Sequence, residues 1–336
     1  MADILNQMLE NYLVSSNVQL QKGPDSLSFT INSTDGISKT TLFNILPYMH
    51  LIFFDIHARS LPGEIAENAV YHPMQFNYCV EGRIEMLLDD NSYIYLKEKD
   101  FCISRQTSQS ESYFPTKYYR GITMYFDPDF FTEANSNVED LFIMNLSQLP
   151  AIYFEKKDTY IAEASSEMRR ILDRLWQFYE APSPFYMKLC VLELLHLLLD
   201  SRNIVQEKTL TFYTNIQVEI AKKAEQILAA DLKQHIPVKQ IAQQFGVSET
   251  SLKNYFRGVY GKNVSAYLRD LRMNVAEKLL IETKLPISEI ASRVGYTKQG
   301  KFAEVFRQQF QMNPLEYRRS KKLENFRVGA RNSPVG

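Results

Sequence analysis

Cysteine is scarce. Cys79, Cys102 and Cys190 are the only three in 336 residues, and none of them forms a Cys-x-x-Cys pair or a zinc half-site. An odd, scattered set excludes a disulfide framework and a cysteine-held metal, and predicts reduced, buried thiols of a cytoplasmic protein. Histidine is thin as well: His50, His57 and His72 stand singly, with no His-x-His. A metal on a β-scaffold needs clustered histidines with a carboxylate, so no metal and no other cofactor is expected. No nucleophile–base pattern stands out, which argues against an enzyme. Long apolar runs are missing too. The richest, Leu189 to Leu199, is too short to span a bilayer and contains Glu193 and His196. The first residues carry neither the basic nor the apolar region of a signal peptide. A soluble chain with no membrane partner is expected.

What is present is material for more than one core. Hydrophobic residues make up 45% of the chain, and its length predicts two domains or slightly more. The formal net charge of −1 conceals a division. Residues 1–214 hold 17 Lys+Arg against 28 Asp+Glu, a net of −11; residues 215–336 hold the remaining 21 and 11, a net of +10. A basic half joined to an acidic one is the pattern of a nucleic-acid-binding domain attached to something else.

The basic half repeats itself. Ile241, Ala242 and Gly246 recur as Ile290, Ala291 and Gly295, 49 positions later. After one extra residue the offset is 50, and Leu252, Phe256, Arg257, Tyr260, Tyr267 and Arg269 match Phe302, Phe306, Arg307, Phe310, Tyr317 and Arg319. Such self-similarity marks one structural unit used twice. The unit spells helix, tight turn, helix: apolar residues at helical spacing over 238–245, Gly246 to end the first helix, Ser248 to cap the second. Leu252, Tyr255 and Phe256 form an apolar stripe, which leaves Thr250, Ser251, Lys253, Asn254 and Arg257 outside. Donors, acceptors and cations on the second helix of a helix-turn-helix suit base edges and phosphates of double-stranded DNA. An ordinary αα-hairpin with a solvated face is the alternative for one copy, and two copies disfavour it. Between them, Val264 to Glu282 predicts one long helix with Leu268, Leu271, Val275 and Leu279 as its buried stripe.

The runs Ile290-Ala-Ser-Arg-Val-Gly-Tyr296, Phe302-Ala-Glu-Val-Phe306-Arg307 and Asn313-Pro314-Leu-Glu-Tyr317-Arg318 resemble the C-terminal signature of AraC/XylS-type transcription regulators. The first copy, through Ser248, Leu252, Phe256, Gly261 and the helix carrying Arg272, Ala276 and Leu279-Leu280, resembles the same family. The family's DNA-repair methyltransferase relatives need a four-cysteine zinc site that three scattered cysteines do not supply. Two departures stand out. Gly300 occupies a recognition-helix position that is often Ser, at a cost of about 0.5–1 kcal/mol of helix stability. Glu304 stands where Arg or Lys is common, and a carboxylate there repels phosphate.

The first half reads as strands. Thr40–Ile45, Tyr48–His57, Gln75–Val80, Arg83–Leu88, Ser92–Leu96, Phe101–Ser104 and Gly121–Phe126 are the candidates, with hairpin turns at Glu81-Gly82 and Asp89–Ser92. Many short strands favour a sandwich or barrel, and Phe76 to Gly82 with Tyr95 to Asp100 resembles the cupin-like barrel of many such regulators, apart from Lys99 in place of Gly. Ile4 to Leu13 has the spacing of a short helix. Asp158 to Arg202 is helical in pattern, broken at 181–184, and Met187 to Leu199 is apolar almost all round, so it is buried on more than one side: against the barrel in the plain reading, and in a dimer seam as well in the functional one.

The expected class is α+β multidomain: an N-terminal cupin-like β-barrel sensor over 1–157, a helical dimerisation segment and linker over 158–214, an all-α double helix-turn-helix domain over 215–320, and a disordered tail over 321–336. The expected function is a DNA-binding transcription regulator, an activator, that is controlled by a small molecule in the barrel, works as a homodimer and engages RNA polymerase. A barrel serving only dimerisation or protein docking is the alternative. The DNA-binding candidates are Ser248, Thr250, Ser251, Lys253, Asn254, Arg257, Lys262, Lys298, Gln299 and Lys301, with Arg269 suited to phosphate. The ligand candidates are His50, Phe53, Arg59, Phe76, Tyr78, Tyr93 and Tyr119, with plain core as the alternative for the rings; His50, Arg59 and Arg120 are either anchors for an acidic ligand or surface residues. Siderophore, sugar, aromatic acid, lipid and peptide effectors all remain open.

Overall fold

The structure, a computed structural model, describes residues 18–33, 35–62, 74–88, 91–105, 111–127, 137, 142, 144–154, 157–200 and 211–321. The expected helix over Ile4–Leu13, His72 and the tail from 322 lie outside the described residues. The chain divides into two compact units that meet between Thr214 and Asn215.

The first unit is built on one large antiparallel sheet. Its strands are β1 (Val18–Lys22), β2 (Ser26–Asn32), β3 (Ile37–Leu46), β4 (Met49–Ile56), β6 (Met74–Leu87), β7 (Ser92–Lys97), β8 (Asp100–Ser104), β10 (Tyr119–Phe126), β11 (Thr159–Glu163) and β12 (Tyr213–Thr214). A separate pair joins β5 (Ser60–Pro62) to β9 (Glu111–Tyr113). The main path runs β1-β2-β3-β4-β10-β6-β7-β12, with β8 and β11 branching from β6. Among the described residues the sheet is therefore open, and the hydrogen-bonded closure of a barrel is not found.

Period-two alternation assigns the side chains to two faces. On β4, Met49, Leu51 and Phe53 enter one apolar cluster, while Ile52, Phe54 and Ile56 enter another. The first cluster is covered by α2 (Ser166–Gln177) and α3 (Pro184–Leu199), through Met168, Leu172, Leu175, Val191 and Leu195. The second unites Leu27 and Phe29 of β2 with Ile94 and Leu96 of β7, from opposite ends of the path. The sheet thus curls on itself and closes a core by packing.

The bend comes from β6. Glu81-Gly82, expected as a hairpin turn, lies inside this single 14-residue strand. Gly82 has φ +85°, and the register against β10 shifts between Arg120 and Gly121. The first half of β6 pairs with β10 and β8, and the second half with β7. Only glycine adopts that φ without strain, so one residue lets a strand serve two layers.

Two further expectations change. The helical pattern from Asp158 begins with a strand, because β11 pairs with β8 from Thr159↔Ser104 to Glu163↔Asp100. The helix α2 starts only after Ser165, whose Oγ accepts the Met168 amide at 3.1 Å. A short helix, α1 (Leu149–Tyr153), precedes it. Residues 213–214 of the expected linker are β12, paired to β7 through Tyr213↔Tyr93 and Thr214↔Ser92. All three cysteines are free and buried, and burial pushes the Cys102 thiol up to about 12.

The second unit is helical: α4 (Asn215–Ala230), α5 (Val238–Gln244), α6 (Glu249–Tyr260), α7 (Val264–Glu282), α8 (Ile287–Arg293) and α9 (Gln299–Phe310), with a last helical stretch over 314–321. The connector α7 has the expected bounds, but its fully buried residues are Val264, Tyr267, Met273, Ala276 and Leu280. Leu268, Leu271, Val275 and Leu279 are only partly buried, because the helix packs on two flanks rather than along one stripe. None of the helices among the described residues is long and apolar enough to cross a membrane.

Candidate nucleic-acid interface

Each half of the second unit presents one short helix behind a glycine turn. In the first, Gly246 takes φ +66° after α5, and Ser248 Oγ accepts the Ser251 amide at 3.0 Å to start α6. This cap satisfies an amide that the helix itself cannot. Leu252, Phe256 and Val259 are buried, holding α6 against α4 and α5. Opposite them Thr250, Lys253, Asn254 and Arg257 are exposed, and Ser251 is half-buried with its hydroxyl 2.8 Å from that of Ser248. The left-handed Gly261, at φ +73°, ends the helix.

The second half is built alike. Gly295 takes φ +82°, and α9 buries Phe302, Val305 and Phe306. Lys298, Gln299 and Lys301 are exposed at its start. Lys298 is the N-cap and makes no side-chain cap bond, unlike Ser248.

One buried hydrogen bond and three half-buried ones fix the supporting helices. Tyr267 of α7 donates to Glu225 Oε1 of α4 at 2.8 Å, and Arg318 donates to the carbonyls of Leu280 and Leu285 at 3.2 and 2.8 Å. The Tyr317 hydroxyl bonds Glu277 of α7. Both outward faces therefore stand on an interlocked frame.

Several of the cations carry carboxylate partners. Lys253 pairs with Glu249 at 2.6 Å, Lys262 with Asp270 at 2.5 Å and Lys301 with Glu304 at 2.9 Å. All are at the surface, where such pairs contribute little and exchange partners readily. Arg307, which is not among the sequence candidates, is also exposed on α9; its alignment with Arg257 in the repeat is the signal that marks it.

The ligand candidates of the first unit fall on two faces of the sheet. Phe53, Phe76 and Tyr78 belong to the helix-covered cluster, whereas Tyr119 belongs to the other, stacked on Phe114 at 5.2 Å. Tyr93 is half-buried on β7, opposite Tyr213, and Arg59 lies just before β5. His50 shares the face of Ile52 and is buried; its Nδ1 meets Asn44 Oδ1 at 2.8 Å, and burial lowers its pKa to about 4. Arg120 lies at the far end of β10, bonded to Asp55 at 3.3 Å. His50 and Arg120 are not brought together, so they form no joint anchor for an acidic ligand. Around His50 stands an uncharged polar group instead: Gln75 donates to Asn77 (3.1 Å) and Tyr125 (2.7 Å), and Thr123 donates to Asn77 (2.7 Å).

Comparisons with known proteins bear on the second unit. A helix-turn-helix domain family matches residues 241–320. The HTH-type transcriptional activator RhaR of Enterobacter sp. (strain 638) is 35% identical over 109 residues, which is 32% of this chain and 39% of RhaR. The regulatory protein SoxS of Escherichia coli (strain K12) is 35% identical over 101 residues, 29% of this chain and 94% of SoxS. The chain thus spans less than half of RhaR but nearly all of SoxS. Among solved structures, the C-terminal domain of AraT, a response regulator from Geobacillus stearothermophilus, is 32% identical. That match covers 30% of this chain and 84% of the other, with a TM-score of 0.29.

Proposed function

The chain belongs to the AraC/XylS family of transcription regulators, and from that premise we propose that it binds specific duplex sites through α6 and α9 and activates transcription under control of its first unit. The observation that carries this is the pair of exposed, polar-cationic helix faces on a unit of net charge +10. In this reading α6 and α9 enter successive major grooves about 34 Å apart. Thr250, Asn254 and Arg257 meet base edges from α6, with Lys253, Ser251 and Ser248 beside them; Lys298, Gln299 and Lys301 act from α9. Lys262 and Arg269 bind phosphate, a contribution that salt weakens through counterion return.

Selection of bound duplexes from a random library by the full chain tests this. A defined motif is expected, and Lys253→Ala with Asn254→Ala should weaken its binding by about 1–3 kcal/mol per lost base contact. Unchanged affinity in the double variant removes these residues from the interface.

The first unit is assigned effector binding on the curled inner face, with the uncharged group around His50 as its polar wall. Homodimerisation is assigned to α3. Its exposed Phe185, Tyr186 and Leu189 rise beside a groove of about 690 Å³, and Met144, Arg174 and Leu192 are among the residues that line it. Such a patch on a helix already buried on its other side suits a second copy. RNA polymerase is the further partner, in the cytoplasm where promoters are. Native mass spectrometry and thermal shifts against a metabolite panel separate effector control from a purely dimerising role.

A further inference from the structure

The outward ridge of α9 departs from that of α6 in a manner that the protein's own packing does not demand. Fifty positions apart, Thr250, Asn254 and Arg257 of α6 correspond to Gly300, Glu304 and Arg307 of α9. At about 100° per residue, each trio lies opposite the buried line of its helix, Leu252–Phe256–Val259 in one and Phe302–Val305–Phe306 in the other. Gly300 and Glu304 are therefore neighbours, one turn apart, on the most prominent line of α9.

Gly300 has no internal reason to be glycine. It sits within the helix, outside the left-handed region, and a β-carbon built on it would meet nothing within 4 Å. It relieves no clash and satisfies no special torsion, yet glycine weakens a helix relative to alanine. Where a missing side chain serves nothing inside the chain, the remaining use is close approach of something outside.

Glu304 has the complementary oddity. A carboxylate aimed at a polyanion is unfavourable unless a donor meets it, and the base-edge donor suited to a carboxylate in the major groove is the cytosine N4 amino group. Lys301 Nζ lies 3.0 and 2.9 Å from the two Glu304 oxygens. This offsets the charge and steadies the side chain from the same helix face. Both partners are exposed, so the carboxylate stays open to a further donor.

We infer that Gly300 and Glu304 work together to make α9 a cytosine reader. The bare Cα lets the start of α9 settle closer to the groove floor than α6 can, and Glu304 then accepts a hydrogen bond from one cytosine amino group. This rests on the DNA-binding reading above.

The test uses the full chain and a random duplex library. The wild-type protein is expected to select a motif with one fixed C·G pair about a helical turn from the positions relaxed by Asn254→Ala. Glu304→Gln should relax that pair and lower affinity for the wild-type duplex roughly 10- to 100-fold. Gly300→Ala should raise the thermal midpoint of the second unit while weakening binding to the same duplex. A Glu304→Gln protein that selects the same motif, or binds it more tightly with no position changed, overturns the cytosine contact. A Gly300→Ala protein that binds as wild type overturns the close approach. If the wild-type chain selects no motif, the DNA-binding reading falls and this inference with it, whereas the variant outcomes strike this inference alone.

Discussion

The carbonyl oxygen of Leu232 occupies the space that a β-carbon on Gly295 would need. The same oxygen accepts from Arg272 Nη2 at 2.9 Å, so the turn of the second repeat, the α4–α5 loop and α7 meet at one point. Gly246, its counterpart in the first repeat, has open space around it. Gly246→Ala should therefore cost only the left-handed torsion, about 1–2 kcal/mol. Gly295→Ala adds a backbone overlap and should cost clearly more, about 2–4 kcal/mol. The single tryptophan, Trp176, lies in α2 of the first unit. Urea unfolding followed by circular dichroism should register the losses, while tryptophan fluorescence stays where it was.

The ends of the two recognition helices invite a matched exchange. Gly261 closes α6 at φ +73°, and Gln311, fifty residues on, closes α9 at φ +58°. A side chain at that torsion is strained, so Gln311→Gly should stabilise the second unit by about 1 kcal/mol and Gly261→Gln should destabilise it by a similar amount. Thermal midpoints by circular dichroism decide the signs.

His50 gives the first unit an acid limit. Burial lowers its pKa from 6.5 to about 4, so the native state holds it neutral while the unfolded chain takes up a proton. The unfolded state then binds more protons as pH falls, and stability is lost over the window from about 6.5 down to about 4. The contribution is on the order of 3 kcal/mol. Tryptophan-detected unfolding of wild type should weaken across that window, and His50→Gln should flatten the His50 part of the slope.

Self-association should depend on the exposed edge of α3. Tyr186 and Leu189 are exposed, and Leu189→Glu with Tyr186→Glu places two charges in that edge without touching the buried Val191 and Leu195. Sedimentation velocity is expected to show a shift toward monomer with unchanged circular dichroism. A dimer that persists in the double variant excludes this face.

What was legible in the sequence was what is decided locally. The cap Ser248, the turn glycines 246 and 295, and the apolar periodicity around Leu252 and Phe302 act within a few residues, so the helical unit is legible nearly residue by residue. The sheet was harder, because its features are settled by distant partners. Glu81-Gly82 has the composition of a hairpin turn, and only the two-sided pairing of β6 makes it a bend within a strand. Thr159 to Glu163 fits a helical stripe on paper, and β8 claims it as a strand. The fully buried residues of α7 were misjudged because a helix clasped on two flanks has no single stripe. At the candidate interface, residue types and outward placement could be read from the repeat. The pairings of Lys253, Lys262 and Lys301 with nearby carboxylates could not, since they depend on rotamers that spacing does not dictate.

Thr214 ends β12 and Asn215 begins α4, with no residue in between. Its two residues pair with Tyr93 and Ser92, and the ring centroids of Tyr213 and Tyr95 stand 5.9 Å apart, so the first unit is tied to β7 up to its last residue. Unzipping those two residues pays out about 7 Å of chain. A two-residue seam at the sheet margin thus decides where the first unit's ordered backbone stops.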